Sequence, residues 1–145
     1  MDMLTIERIW EDADFYEIEV NARNSVIHAS VKSYTTEALI NELATRLLSF
    51  PQSLNDRYFW ENGERGDEST PYLSLEFWSG DKLGHVVVEV YMEIDDGAPY
   101  SKHNCCFFIK TDIGQLNNFG KSLLYLNQCT GNRKISLNES MTRST

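Results

Sequence analysis

The sequence predicts an α+β fold: a mainly antiparallel sheet of about six to seven strands with two amphipathic helices packed on one face. Three observations predict it. Several short segments alternate apolar and polar residues with the period of a half-buried strand. Two longer segments repeat apolar residues at helical spacing. The strands follow one another through short turns, which makes chain neighbours antiparallel neighbours in the sheet.

The elements follow in order. Thr5–Trp10 alternates in part and forms a first strand, closed by a turn at Asp12-Ala13-Asp14. In the next segment Tyr16, Ile18, Val20 and Ala22 share one face, with Glu17, Glu19 and Asn21 on the other. Val26–Ser33 is its hairpin partner. The clearest helix starts at a Thr35 or Thr36 cap. Leu39, Leu43 and Leu47, flanked by Ile40, Ala44 and Leu48, make its apolar stripe, and Phe50-Pro51 ends it. Arg57–Glu61 is a short strand, and Asn62–Pro71 is the most loop-like stretch of the chain. Three further strands follow: Tyr72–Trp78, Gly84–Ile94 and Cys105–Lys110. The chain breaks at Asp95–Pro99 between the last two. A second helix runs from about Asp112 to Cys129, with Asp112 and Gln115 at capping-box spacing. These elements form one domain over residues 1–132, and residues 133–145 read as a polar, flexible tail. No internal repeat is legible.

Composition narrows the function. Of 145 residues, 22 are Asp or Glu and 13 are Lys or Arg, a formal net charge of -9. Such a chain repels nucleic-acid backbones and anionic membranes, and its scattered basic residues form no basic patch. A cationic protein partner or plain solubility accounts for the same excess. The N-terminal residues carry neither a basic nor an apolar signal region. With three cysteines and no secretory signal, the expectation is a cytoplasmic protein.

Motifs for chemistry are absent. His103-Asn104-Cys105-Cys106 has vicinal cysteines, which point to opposite faces of a strand and do not suit one zinc ion. No nucleophile elbow, phosphate-binding loop or dinucleotide fingerprint occurs. The carboxylate pairs lie in turns, where solvent keeps their acidities alike. The expectation is therefore no enzyme, no cofactor and no metal.

A binding surface remains. Glu61, Glu64, Asp67 and Glu68 place four carboxylates within eight residues, and Asp95 and Asp96 occupy another loop. Aromatic side chains lie close by in sequence, which suits an interface steered by charge and anchored by rings.

The pattern also resembles a family. Its features are Tyr34-Thr35-Thr36 leading into Leu39, Leu43 and Leu47, then Phe50-Pro51, Glu61-x-Gly63, Leu73-Ser74-Leu75-Glu76-Phe77 and the alternating valines Val86, Val88 and Val90, before a closing leucine-rich helix. In this order, from about Phe15 to Leu126, they resemble small bacterial immunity proteins of the WapI-like, contact-dependent inhibition type. The resemblance implies a cytoplasmic monomer that binds a cognate toxin domain 1:1, often a nuclease, with no nucleic acid or membrane as partner. The family has no fixed binding residues to carry over. Charge and aromatic content select Glu61, Glu64, Asp67, Glu68, Asp95 and Asp96 as toxin contacts, with Trp60 or Trp78 as anchor. An alternative is a small-molecule or peptide-binding module on the open sheet face, lined by Trp78, Tyr91 and Glu76.

Overall fold

The computed structural model describes residues 1–67, 69–95, 102–128 and 133–139, with Asp95 described by its backbone alone. In chain order the elements are β1 (Met3–Glu11), β2 (Tyr16–Arg23), β3 (His28–Thr35), α1 (Glu37–Leu48), β4 (Arg57–Asn62), β5 (Tyr72–Ser79), β6 (His85–Asp95), β7 (Lys102–Asp112), α2 (Ile113–Gln128) and β8 (Lys134–Asn138). The fold is α+β, but the strands form two antiparallel sheets of four rather than one sheet of six or seven. Their orders are β3-β2-β1-β8 and β4-β5-β6-β7. The physical reason lies at β4. After α1 the chain returns to β5 instead of to the edge of β3, so the ladder is cut in two.

The tail expectation is corrected over Lys134–Asn138. That segment is β8, antiparallel to β1, with Ile135 opposite Ile6 and Leu137 opposite Leu4. Two apolar residues in five are too short a signal to read as a strand. They are buried because β1 offers an unpaired edge and β8 covers it.

Both helices start where their caps direct. The Thr36 hydroxyl accepts the Leu39 N–H at 3.2 Å, and the Asp112 carboxylate accepts the Gln115 N–H at 2.8 Å. Each sheet turns one face inward, and the helices join both faces in one hydrophobic cluster. At the C-terminal end of α2 the buried Arg8 guanidinium donates to the carbonyls of Leu126 and Asn127 at 3.1 and 3.0 Å. It thereby satisfies carbonyls that have no partner within the helix.

The two halves share one topology. The order β1-β2-β3-α1-β4 repeats as β5-β6-β7-α2-β8, and each final strand pairs with the first strand of the other half. Matching the halves through their ladders and inward faces places Leu4 on Leu73, Val20 on Val90, Thr35 on Thr111 and Leu47 on Leu123. Every member of the core cluster has a buried counterpart in this matching. Ala44 falls on Gly120, and these two meet where the helices cross. A Cβ added at Gly120 would lie 3.1 Å from both the Ala44 carbonyl oxygen and the Leu48 nitrogen.

Those neighbours are backbone atoms and give way poorly. Gly120→Ala is therefore expected to destabilise the fold by about 1 kcal/mol, despite alanine's better helix propensity. Urea unfolding measures it; stability equal to or above that of the parent would show that the helices can part at this point.

Candidate functional site

The end of β4 and the β4–β5 loop carry three of the expected contacts, Glu61, Glu64 and Asp67, and two of them are occupied. Glu61 accepts the Tyr72 hydroxyl at 2.5 Å. Tyr72 packs edge-on against Tyr91, whose hydroxyl donates to Glu93 at 2.7 Å. Glu93 in turn accepts the Gly66 N–H at 2.7 Å, and the Arg65 guanidinium lies 4.2 Å from the Tyr91 ring centre. The Gly66 amide, then the Tyr91 hydroxyl, hold the Glu93 carboxyl below its usual range. Asp67 accepts the Ser69 N–H and hydroxyl and the Thr70 hydroxyl, which likewise lower it. This network fixes the loop to the second sheet. Glu64 is exposed at its tip.

The remaining expected contacts are dispersed. Trp60 is 3% exposed, and its indole N–H donates to the Leu39 carbonyl at 3.1 Å, so it belongs to the core and offers a partner no surface. Its place on the inward face of β4 follows from the ladder, where it opposes Leu75. Trp78 is half-buried on the outward face of the second sheet, stacked on Phe108 at 5.8 Å. Arg57 lies over the Trp78 ring at 4.7 Å and bonds Glu76 at 2.8 Å. The side chains of that face thus already engage one another. Asp95 ends β6. Glu68 and Asp96 lie outside the described residues, as does the Asp95 side chain.

A different cluster stands out on the first sheet. Trp10, Phe15 and Tyr34 form an exposed aromatic group, with ring centres 5.8, 6.0 and 5.3 Å apart. Trp10 is 46% and Tyr34 58% exposed. A register shift between Arg8 and Trp10 makes Ile9 an extra residue and brings Trp10 opposite Glu17. Such a bulge re-aims the side chain that follows it. Tyr34 opposes Glu17 from the other side, so Trp10, Glu17 and Tyr34 occupy one cross-strand row.

These rings border a cup of about 540 Å³, whose other walls include Thr35, Leu39, Asn62 and Gly63. Its floor is polar. The Asn62 amide donates to the Ser33 hydroxyl at 2.8 Å and to the Tyr34 carbonyl at 2.9 Å, which fixes its orientation. The Asn62 carbonyl oxygen and the Thr35 hydroxyl, both buried, have no hydrogen-bond partner among the described residues. Buried polar atoms are ordinarily paired, and an unpaired one costs stability. Acidic residues adjoin the cup in sequence: Glu11, Asp12 and Asp14 between Trp10 and Phe15, and Glu64 after Gly63. The alternation of β2 held the clue, since Tyr16 faces inward and therefore Phe15 faces outward.

Chemistry has less to work with. Cys105 packs against the core while Cys106 is exposed on the opposite face, and burial pushes both thiols up, away from the reactive thiolate. His85 and Asp81 pair at 2.6 Å across the β5–β6 turn. Among the described residues no group of three or more His, Cys, Asp or Glu side chains could hold a metal ion, and no helix is long and apolar enough to cross a membrane. Comparisons with protein-family models, curated proteins and solved structures find no match to this chain.

The loop network has a pH signature. Burial first, and the Glu61 carboxylate second, push the Tyr72 hydroxyl up to about 12. The folded chain thus holds this proton more tightly than the unfolded chain. Its contribution is intact below the ordinary tyrosine value of about 10 and is lost as pH rises towards about 12. Tyr58, pushed up to about 12 by burial, acts in the same window. Tyr72→Phe should make the alkaline fall in stability shallower, as measured by urea unfolding across that range. An unchanged fall would mean that neither burial nor Glu61 holds the Tyr72 proton above its ordinary value.

Proposed function

We propose that this chain is an immunity-type protein that binds a cognate bacterial toxin domain, by its chemistry a basic nuclease, and blocks it without catalysing a reaction. The observation that carries the reading is the exposed Trp10–Phe15–Tyr34 cup, with Asp14 and Glu64 close to it in sequence. Exposed rings supply contact area at small entropic cost, and acidic groups around them steer a cationic partner. The net charge of -9 extends that field over the whole molecule. A nuclease suits the arrangement because its substrate-binding face must attract phosphate. The resemblance to immunity proteins, the cytoplasmic location and the 1:1 stoichiometry belong to the same proposal.

The interface shifts accordingly from the expected set. Glu64 stays in it, beside Asp14, Glu17 and the three rings. Glu61 and Asp67 support the loop from behind, because their carboxylates already accept bonds within the chain. Trp78 is the less suitable anchor, since Arg57 and Phe108 cover its ring.

The test uses the toxin domain that this reading expects to be encoded beside the gene. Asp14→Lys with Glu64→Lys should slow association about tenfold at low salt, with the difference from the parent shrinking as ionic strength rises. Stopped-flow fluorescence reads the rate. Equal association rates at low salt would remove electrostatic steering through this surface, and failure of the parent chain to bind would remove the toxin reading.

A further inference from the structure

We propose that the Trp10–Phe15–Tyr34 cup is the seat of an arginine side chain presented by a protein partner, held there much as Arg57 is held on Trp78 in the other half of the fold. The partner's nature rests on the toxin-binding reading; the chemistry of the seat does not.

The repeat supplies the template. The same matching that pairs the core places Trp10 on Trp78, since Glu17 opposite Trp10 corresponds to Val87 opposite Trp78. Both halves thus carry a tryptophan at this position of the outward face. On Trp78 the ring is covered by the Arg57 guanidinium, whose Nε and Nη2 donate to the two Glu76 oxygens at 2.8 and 3.1 Å. No cation lies over Trp10 among the described residues. The carboxylate is placed differently, for Arg57 and Glu76 reach Trp78 from β4 and β5, whereas Glu17 stands on β2 in the row between Trp10 and Tyr34.

Beneath the rings lie buried acceptors without donors among the described residues. Where this half buries Asn62 and Thr35 with unpaired oxygens, the other half has Leu137 and Thr111. Thr111 is satisfied, donating to the Asn138 carbonyl at 2.7 Å. The fold therefore does not require a polar, incompletely paired floor. The aromatic walls are equally particular to this half, since Phe15 corresponds to His85 and Tyr34 to Lys110. Nearby cations are few: Lys32 is exposed on the same strand as Tyr34, and Arg133 is engaged with Glu11. A planar guanidinium meets all three demands, because it stacks on rings, pairs with carboxylates and donates to oxygen acceptors in one plane. An ammonium lacks the stacking plane.

The experiment titrates the full-length chain with the peptide acetyl-Gly-Arg-Gly-amide while following the indole N–H signals by NMR, the Trp10 signal being assigned with Trp10→Phe. The expected result is a saturable shift of the Trp10 signal with the Trp78 signal unmoved, and no shift from the peptide with neutral citrulline in place of arginine. Asn62→Leu with Ser33→Ile copies Leu137 and Ile109. It should leave the urea midpoint equal or higher and weaken the peptide about tenfold; Tyr34→Ala, at an exposed position, should weaken it similarly. No saturable shift, an equal response to citrulline, or tighter binding of the lysine peptide would each overturn the proposal. Binding of the toxin domain separates the two readings. If Phe15→Ala and Tyr34→Ala bind toxin as the parent does, the seat is overturned and the toxin reading stands. If the parent binds the arginine peptide but no toxin, the seat stands and the toxin reading falls.

Discussion

Ala44 and Gly120 bring α1 and α2 within backbone contact, and the sheets are arranged around that crossing. Each three-stranded meander begins with a strand at its edge. β8 covers β1, β4 covers β5, and each cover comes from the opposite half. Neither half completes its sheet alone. The long edges of β1 and β5 are covered by the chain itself, which leaves the shorter β8 and β4 at those edges. Arg8 reinforces the arrangement, because it stands on β1 and satisfies the end of α2.

The interior and the outer faces obey different rules. Inside, the two halves match residue by residue, since every core position must fill the same space in the same layered geometry. The match breaks in polarity at Arg8 and Phe77, Ser33 and Ile109, and Asn62 and Leu137. Arg8 has carbonyls to satisfy. Ser33 and Asn62 bond each other and the Tyr34 backbone, beneath the aromatic cup. The buried polarity around the cup thus sits where one half departs from the other. Departures from internal consistency that cost stability are expected at functional places.

Part of the candidate site was legible and part was not. The acidic β4–β5 loop was visible because charge and glycine content can be counted. Its division of labour was not visible, since Glu61 and Asp67 turn to Tyr72, Ser69 and Thr70, while Glu64 faces outward. Trp60 and Trp78 are equally aromatic in sequence, yet strand phase buries one and leaves the other half-exposed. The cup gathers Trp10, Tyr34 and Asn62 from three strands and Phe15 from the turn before β2. The bulge at Ile9 that turns Trp10 outward leaves no mark in the local alternation.

By itself the sequence determined the α+β class, both helices with their caps, the seven longer strands and the acidic excess. Each of these follows from local periodicity, capping chemistry or composition, which act over a few residues. Only the tertiary structure decided that the strands divide into two sheets and that Lys134–Asn138 pairs with β1. It also decided that the halves repeat one topology and that three rings meet over an unpaired floor. Those features depend on which edge a strand finds and which side chains share a row across strands, and such contacts are set by packing between residues far apart in the chain.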